Sequence, residues 1–499
     1  MFMLFLIFSI ALLVTADFPV CPPGGMQFNP SQILPFSVDF PRSVNGTVQH
    51  FPTNYKCNYT INVAQGSYAE VWVTFRSWNK TDENSKTVVT DPSGFSEVFT
   101  QASSERFCFL SSGGKVFLST GISEASFFLT IIWRRQAWFS TIVPIKLNAS
   151  NTEPSIIFIN KQNVTYLVTA ETKVSILAIP SFLNQEQSVL RGVFIYDRST
   201  SDSTLMGSAM HLWSSNKQWV SSGNQVSIEI FFADSYYNRS LIVLQDYENT
   251  KHIVNYQCGY CAYSSNDDSK PDCQFTLDNS LGTSAVMTYS DPYYGTLETI
   301  KSLNGNGTLD VYLGGVTLSK RNLVVSYAAN NSGLTLPQTF SGTTRTYVLE
   351  GVHSKAIMNI TRYFGAHPNP MGSRKIIMSD FYPQLHSDQS VSHALGALPT
   401  PNNTLVTYSY RIRFADFAKN SILSISVKKY GNWVYNQTFS VRNPPPINKT
   451  INIVGDWMSV TMDSTEVTRG FLMDYEILKA ASSNFSVLIF VSTLVMGFI

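Results

Sequence analysis

The sequence lacks an excess of charge of either sign. Its 499 residues contain 35 Lys and Arg against 34 Asp and Glu, which gives a formal net charge of +1 at pH 7. No basic block or stripe occurs, and such patches are the electrostatic signature of proteins that bind nucleic acid or acidic lipid. We therefore expect no nucleic-acid partner, and the charge balance alone names no other partner.

Residues that favour helices are also scarce. Ala, Glu and Lys are few, and no amphipathic pattern of ten or more residues indicates a helix between the two apolar chain ends. Instead, short alternating runs rich in aromatic and β-branched residues are separated by Gly, Asn, Ser and Pro, which is typical of strands and turns. The sequence therefore predicts an all-β protein. The clearest predicted strands are 71–75, 115–119, 193–196, 226–232, 323–327, 408–414 and 422–427.

The common motifs of catalysis and metal binding are absent. There is no His-Glu-X-X-His, no Gly-X-Ser-X-Gly and no Gly-rich loop followed by Lys-Ser or Lys-Thr. The closest histidine pair, His386 and His393, lies in a polar segment where solvated side chains are expected. We expect no enzyme, no cofactor and no metal site. Scattered carboxylates could still assemble in the fold, so a secreted hydrolase with an unrecognised active site is the alternative.

Both ends of the chain are apolar. The first 13 residues form a hydrophobic segment followed by Val14, Thr15 and Ala16, so residues 1–16 are predicted to be a signal peptide. At the other end an apolar run follows a cluster of small residues, and segment 480–499 is typical of a glycosylphosphatidylinositol (GPI) attachment signal. A membrane-inserted hydrophobic tail is the alternative, although a full span needs about 20 apolar residues. The candidate attachment residues are Ala480, Ala481, Ser482, Ser483 and Asn484.

Acceptor sites for N-glycosylation are spread along the whole chain and agree with passage through the secretory pathway. The Asn-X-Ser/Thr asparagines are Asn45, Asn58, Asn79, Asn148, Asn163, Asn238, Asn306, Asn330, Asn359, Asn402, Asn436 and Asn448. We expect a glycoprotein that is secreted or held at the extracellular face of the plasma membrane.

Internal similarity indicates repeated units of about 110 residues. Segment 111–118, a Ser-Ser-Gly-Gly turn that leads into an alternating strand, is echoed by segment 221–228. In both copies an earlier strand runs into a turn, at 88–94 and at 192–198. A chain of this length exceeds what one hydrophobic core usually serves, so a string of β-sandwiches is expected.

Three segments resemble a known family. Segment 457–464 is an alternating strand that ends in Asp463 and Ser464, and Gly-Phe follows at 470–471. This pattern is similar to the closing strand pair of a CUB domain. Segment 379–383 resembles the family's Ser-Pro-X-Tyr-Pro entry, with Asp380 in place of the proline. Segment 57–61 resembles its Cys-X-Trp-X-Ile strand, with Tyr59 in place of the core Trp. The resemblance is to the CUB-like branch that is expanded in nematodes.

This resemblance implies tandem CUB-like β-sandwich domains of the jelly-roll type. We predict CUB-like domains at 17–136 and 365–478, and a divergent CUB-like β-sandwich at 137–250. Segment 251–364 is predicted to be β-rich and is of uncertain type.

The resemblance also implies a disulfide between Cys21 and Cys57, which would contribute roughly 3 to 4 kcal/mol in the chain-entropy view. It places Cys108 at a family cysteine whose usual partner, near Asn84, is absent. The remaining cysteines are Cys108, Cys258, Cys261 and Cys273, whose three possible pairings the sequence does not rank.

The Cys-X-X-Cys pair at Cys258 and Cys261 also invites a redox or zinc interpretation. No βαβ pattern surrounds the pair, and His252 is the only imidazole close to it in sequence, so we interpret these cysteines as structural disulfides.

Many CUB domains bind calcium through three carboxylates, one of them in the closing Ser-Asp strand. Asp463 matches that position in the last unit, whereas the first unit has Thr120 there. The family's middle Asp falls near Ser85 and Ile422, neither of which supplies a carboxylate. Calcium prefers six to eight oxygen ligands, so we expect no site. The acidic group Asp267, Asp268 and Asp272 is interpreted as a solvated turn.

For function, the resemblance implies a non-enzymatic, glycosylated protein of innate immune defence or recognition at an epithelial surface. The expected partner is an extracellular protein or glycan, with membrane contact through the lipid anchor or tail. A structural protein of the extracellular matrix is a further alternative. Exposed aromatic pairs can bind such ligands, but ordinary core packing or a hairpin edge is the favoured explanation of these pairs, so no binding site is named. The pairs are Tyr236 with Tyr237 and Tyr293 with Tyr294.

Overall fold

A computed structural model of the chain shows the fold. The predicted signal peptide and residues 481–499 lie outside the described residues, and only Ala480 of the candidate attachment residues lies within them. The structure describes residues 19–42, 50–78, 82–136, 141–180, 188–198, 203–231, 233, 240–261, 273–290, 296–361, 369–387, 389–396 and 405–480.

Within these residues, strands β1 to β36 form eight sheets that face one another in four sandwiches. This confirms the predicted all-β class. Six of the seven predicted strands lie within observed strands, and the predicted strand 226–232 overlaps the observed strand Gln225–Ile230. Helices are short, namely α1 (Ala209–Ser214), α2 (Ser332–Thr335) and three 3-10 turns at Ser188–Gly192, Tyr247–Asn249 and Ala329–Asn331.

The chain divides into two compact units. The first comprises Met1–Tyr260 and Val316–Arg321, and contains the first two sandwiches. The second comprises Cys261–Gly315 and Asn322–Ile499, and contains the strands of the third and fourth sandwiches from β21 onward. The boundary between the units falls within β20.

The first sandwich pairs a sheet of order β1-β4-β9-β6-β7 with a sheet of order β2-β10-β5-β8, on which β3 also pairs with β10. Alternation along these strands buries one face of each sheet. Tyr59 is fully buried and stacks on Phe127 at 5.2 Å, so it fills the core position predicted for it. The strands are β1 (Met26–Phe28), β2 (Phe36–Phe40), β3 (His50–Phe51), β4 (Lys56–Ile61), β5 (Ser67–Ser77), β6 (Ser85–Thr90), β7 (Ser96–Phe99), β8 (Ser103–Phe109), β9 (Gly114–Thr120) and β10 (Ala125–Arg135).

The second sandwich pairs sheet β11-β13-β18-β15-β16 with sheet β12-β19-β14-β17. Helix α1 covers one end of its core, and the Ser208 hydroxyl caps the helix by accepting from the amide of His211. The strands are β11 (Thr141–Leu147), β12 (Ser155–Phe158), β13 (Val164–Ala170), β14 (Val174–Ile179), β15 (Val193–Asp197), β16 (Thr204–Ser208), β17 (Trp219–Val220), β18 (Gln225–Ile230) and β19 (Leu241–Asp246).

In the third sandwich, β22-β27-β24-β25 are consecutive neighbours in one sheet, and the other sheet has the order β21-β28-β23-β26. Strand β20 (Asn255–Cys261) precedes this sandwich in the chain. The strands of the sandwich are β21 (Cys273–Asp278), β22 (Ser284–Ser290), β23 (Thr296–Asn304), β24 (Thr308–Leu313), β25 (Leu323–Tyr327), β26 (Gln338–Phe340), β27 (Thr344–Glu350) and β28 (Lys355–Thr361).

The fourth sandwich pairs sheet β29-β36-β31-β34 with sheet β30-β35-β32-β33. Its strands are β29 (Arg374–Met378), β30 (Val391–Gly396), β31 (Val406–Asp416), β32 (Ile422–Lys429), β33 (Asn432–Phe439), β34 (Thr450–Gly455), β35 (Trp457–Asp463) and β36 (Gly470–Lys479).

All four sandwiches share one strand order. The order β4-β9-β6-β7 recurs as β13-β18-β15-β16, β22-β27-β24-β25 and β30-β35-β32-β33. The order β2-β10-β5-β8 recurs as β12-β19-β14-β17, β21-β28-β23-β26 and β29-β36-β31-β34. The segment whose type the sequence left open therefore has the same topology as the first sandwich.

The state of the cysteines confirms only part of the predicted disulfide bonding. Cys21 and Cys57 form the predicted disulfide, and Cys273 is also disulfide-bonded. Cys108 and Cys258 are free, so the expectation that both take part in disulfides is wrong. Cys108 is buried on β8 in an apolar cluster with Tyr68 and Phe194, where no second cysteine lies among the described residues.

The surroundings of Cys258 do not favour a redox thiol. It lies in strand β20, and its Sγ donates to the carbonyl of Ala178. Burial raises the pKa of this thiol to about 12, against a smaller lowering by that hydrogen bond. A thiol that stays protonated at neutral pH is a poor nucleophile.

Candidate functional site

The second unit contains a cleft of about 340 Å³, within the range of sites that bind small ligands or peptide segments. One wall is edge strand β25 of the third sandwich. The floor is the outer face of sheet β29-β36-β31-β34 in the fourth sandwich.

Strand alternation explains which side chains form this floor. Met473, Tyr475 and Ile477 of β36 point into the core of the fourth sandwich, so Asp474 and Glu476 lie on the opposite, outer face. The same alternation puts Arg411 of β31 beside Asp474, its register partner.

The outer face has an apolar end and a charged end. Ile376, Met378 and Leu472 belong to the core cluster of the third sandwich, so this apolar end holds the two sandwiches together. A bulge at Arg413 turns Phe414 toward the same cluster. The charged end is left open and lines the cleft.

The charged end is a ladder of ion pairs. Arg374 Nε lies 2.6 Å from Glu476 Oε1, and Arg411 Nη2 lies 2.6 Å from Asp474 Oδ2. Arg413 reaches the other oxygen of Asp474 at 3.3 Å. Three guanidinium groups thus face two carboxylates. The side chains of Arg374 and Arg411 are 66% and 47% exposed, so their unused N–H donors remain available to a carboxylate ligand.

Two polar side chains fix the wall against the floor. Arg413 donates to the carbonyl oxygens of Val324 at 2.7 Å and Leu323 at 3.2 Å, which holds the edge strand in place. Gln338 accepts from the amide of Ile376 at 2.9 Å and donates to its carbonyl at 3.0 Å. The cleft is therefore preorganised by hydrogen bonds from both sides.

Two buried polar residues also border the cleft. Lys375 is register partner of the core residue Tyr475, so its side chain belongs to the inner face, and burial lowers its pKa. Tyr327 is 1% exposed, and its hydroxyl has no hydrogen-bond partner among the described residues. Burial raises the pKa of Tyr327 well above its ordinary value, so this hydroxyl remains a neutral donor.

The residues considered as calcium ligands do not form a site: they lie apart from one another or make other hydrogen bonds. Asp463 is exposed on β35 opposite Ile422. Thr120 is buried, accepts from the amide of Tyr55 at 2.8 Å and donates to the carbonyl of Pro52 at 2.6 Å. No group of three or more His, Cys, Asp or Glu side chains converges within the described ranges.

Asp82, which the sequence did not single out, ties two loops of the first sandwich together. It accepts from the amide of Ile122 at 2.8 Å, the hydroxyl of Ser123 at 3.1 Å and the amide of Asn84 at 3.2 Å. Desolvation raises the pKa of Asp82, but these hydrogen bonds outweigh it, so the pKa lies below its ordinary value. Ser85, which stands near the position of the family's middle Asp, is fully buried.

The remaining predicted positions are scattered. His386 is half-buried and stacks on Phe381 at 3.6 Å, so it is not the solvated side chain expected. The side chains of His393 and Cys261 lie outside the described set, as do Asp267, Asp268, Asp272 and the four tyrosines considered as aromatic pairs.

The described glycosylation acceptors lie on the surface. Asn359 is half-buried, and the other seven are exposed, namely Asn58, Asn148, Asn163, Asn306, Asn330, Asn436 and Asn448. Asn45, Asn79, Asn238 and Asn402 lie outside the described residues. In the part of the chain that is described, none of the helices is both long and apolar enough to span a bilayer.

Comparison with known families covers the first three sandwiches. Residues 16–137 match the CUB-like domain, residues 146–231 match a domain of unknown function, DUF7592, and residues 248–363 match another, DUF7591. No curated protein matches the chain.

Two solved structures are similar to part of the chain. The CUB1-EGF-CUB2 domains of rat MASP-1 share 9% identity, with a TM-score of 0.17 over 41% of this chain and 96% of that one. The CUB1-EGF-CUB2 domain of human MASP-1/3 shares 7% identity, with a TM-score of 0.17 over 41% and 98%. The family match shows a CUB-like domain at residues 16–137, and the other three sandwiches share the strand order of that domain.

Proposed function

We propose that this chain is a non-enzymatic, N-glycosylated recognition protein of the cell surface or extracellular space, and that its cleft binds an extracellular protein ligand. Its role would be innate immune defence at an epithelial surface. CUB-like domains suggest an extracellular interaction module. The observation that carries the proposal is the arginine ladder beside edge strand β25.

The chemistry of the cleft suits an extended acidic segment. An exposed sheet edge can pair with an added strand, which supplies backbone hydrogen bonds without sequence specificity. Specificity would then come from acidic side chains of the ligand, which Arg374 and Arg411 can bind through two parallel N–H donors each. The rigid floor means that little ordering is needed on binding.

A hydrolase is less well supported by this geometry. Asp474 and Glu476 both lie in ion pairs with arginine, whereas glycoside hydrolysis requires one carboxyl group that carries a proton and donates it to the leaving group. At least one oxygen of each carboxylate already accepts from an arginine N–H group. The cleft is therefore better arranged for binding than for proton transfer.

A direct test uses a fluorescently labelled octapeptide of alternating Glu and Thr and the full-length protein, with binding followed by fluorescence anisotropy. We expect binding that weakens as salt rises and that falls about tenfold or more in the Arg374→Glu, Arg411→Glu double variant. Arg442→Glu is the matched control, because Arg442 is exposed and makes no ion pair among the described residues. Absence of binding, or an equal loss in the control, would contradict the cleft assignment.

The surface location has its own test. Intact expressing cells are treated with phosphatidylinositol-specific phospholipase C, and medium and membranes are blotted for the protein. We expect release into the medium, because the predicted anchor is a glycolipid. Retention in the membrane would favour a hydrophobic tail, and spontaneous appearance in the medium would favour a secreted protein.

A further inference from the structure

The outer face of sheet β30-β35-β32-β33 carries a row of two tryptophans and a lysine. In the cross-strand register Lys428 of β32 lies between Trp433 of β33 and Trp457 of β35. The Lys428 ammonium is 4.4 Å from the Trp433 ring centroid and 4.8 Å from that of Trp457. The two indoles meet edge to face at 5.7 Å. Because the three side chains contact one another, the Trp433 ring has a defined position.

Trp433 remains 54% exposed despite these contacts. It lies on β33, an edge strand on which Val434 is also exposed. An exposed apolar edge is a site that proteins usually cover or protect. The edge of β33 is therefore expected to be covered in the mature protein.

A β-bulge puts an N-glycosylation acceptor on the same face as Trp433. Simple alternation would place residues three apart on opposite faces. The register instead shifts so that Lys428 pairs with Trp433 and Ser426 pairs with Asn436. Lys428 and Ser426 are two residues apart on a regular strand, so Trp433 and Asn436 share the outer face. Adjacent positions on one face of a strand are about 7 Å apart.

Asn436 is also arranged for modification. It is exposed, and it begins the acceptor triplet Asn436-Gln437-Thr438. The Ser426 hydroxyl donates to its Oδ1 at 2.9 Å, which orients the amide. The Nδ2 atom, which would carry the sugar, has no hydrogen-bond partner among the described residues.

We propose that Asn436 carries an N-glycan whose first N-acetylglucosamine packs on the Trp433 ring and covers the edge of β33. The apolar face of a sugar ring and an indole remove apolar surface from water when they stack. Lys428 and Trp457 fix the indole in place, so little side-chain entropy is lost on contact. The chain's own glycan is thus the occupant of this surface.

The experiment combines glycopeptide mass spectrometry with hydrogen–deuterium exchange on full-length protein secreted from eukaryotic cells. Occupancy is measured at Asn436 and at Asn148 and Asn306, two other exposed acceptors. Exchange in β33 is then compared between wild type and Asn436→Gln, each with and without Trp433→Ala. Trimming with an endoglycosidase that leaves one N-acetylglucosamine tests the first sugar alone. Asn448→Gln is the control, because no aromatic residue occurs among the five residues before Asn448.

We expect Asn436→Gln to speed exchange in β33 about threefold or more, and trimming to a single sugar to leave exchange unchanged. In the Trp433→Ala background the glycan should give no protection, and Asn448→Gln should not affect β33. An unoccupied Asn436 in a chain glycosylated at the other acceptors would overturn this inference but not the proposed secretory route. No occupancy at any acceptor would overturn both, and protection that persists in Trp433→Ala would overturn the stacking.

Discussion

Glu298 is a carboxyl group enclosed in the core of the third sandwich. It is 4% exposed, and the Tyr347 hydroxyl donates to it. Burial raises the pKa of Glu298 well above its ordinary value, and the charge of Arg345 opposes this only in part. The folded protein therefore holds this proton more tightly than the unfolded chain does.

The pH dependence of stability should reflect this proton. Because the folded pKa is raised, the stabilisation is fully present below the unfolded pKa and is lost as pH rises through the folded pKa. We expect the free energy of unfolding to fall by up to about 1.4 kcal/mol per pH unit in that window. Glu298→Gln keeps an acceptor for Tyr347 and should remove this slope. Urea denaturation at several pH values checks it, and an equal slope in the variant would contradict it.

At the scale of single elements, the turn that leads into β9 depends on Gly113. Its φ is +74°, and a Cβ there would collide with the carbonyl oxygen of Ile61. Gly94 has a similar φ of +87°, but a Cβ at that position would meet nothing within 4 Å. The two glycines therefore separate the cost of a left-handed backbone from the cost of a steric clash.

We expect Gly94→Ala to lower the free energy of unfolding by about 1–2 kcal/mol, which is the cost of the left-handed backbone alone. Gly113→Ala should cost about 2 kcal/mol more, because either β4 or the turn must move. Urea denaturation followed by tryptophan fluorescence measures both variants. Equal losses would show that the chain relaxes at Gly113 without strain.

The repeat in the sequence corresponds to a repeat in topology. Segment 111–118 leads into β9 and segment 221–228 leads into β18, and both strands lie between the same two neighbours of their sheets. Segment 88–94 begins in the last half of β6 and segment 192–198 contains β15, and these two strands are also equivalent. Alternation and turn residues are local, so these features could be predicted from the sequence. The third sandwich has the same topology but lacks this turn-and-strand motif. Many different sequences can produce the same pattern of buried and exposed residues.

The cleft could not be predicted in this way. Its side chains come from elements that are far apart in sequence, namely β25, α2, β26, β29, β31, β34 and β36. Arg413 and its acceptor Val324 are 89 residues apart. The bulges at Arg413 and Val434 also change which side chains share a face, and alternation in the sequence does not show them. Likewise, the free thiols of Cys108 and Cys258 depend on which strands pack together.

At the scale of the whole molecule, the first two sandwiches are joined by one buried arginine. Arg191 lies in the 3-10 turn of the second sandwich and is 7% exposed. Its Nε and Nη2 donate to the two oxygens of Glu97 at 2.8 and 2.7 Å, and Nη1 donates to Glu105 at 2.7 Å. The guanidinium also lies 4.4 Å from the Phe107 ring centroid. Both glutamates belong to the first sandwich, so this cluster links the unfolding of the two.

Arg191→Met keeps most of the apolar contact but leaves two partly buried carboxylates without a partner. Removing one member of such a cluster typically costs about 3–5 kcal/mol, so we expect a loss of that size in the first unit. Calorimetry of the full chain should then show the first and second sandwiches unfolding in separate transitions.

Adding Glu97→Gln and Glu105→Gln to Arg191→Met should recover much of that stability, because the loss comes from uncompensated charge rather than from a missing attraction. Lys251→Ala serves as the control in the same unit. It breaks the exposed pair with Glu248 at 2.6 Å, and such pairs contribute at most about 1 kcal/mol. If Arg191→Met cost no more than this control, the two sandwiches would have to be held together by their other contacts, namely the cluster of Tyr68, Phe194 and Phe231 and hydrogen bonds such as that from Gln136 to Glu229.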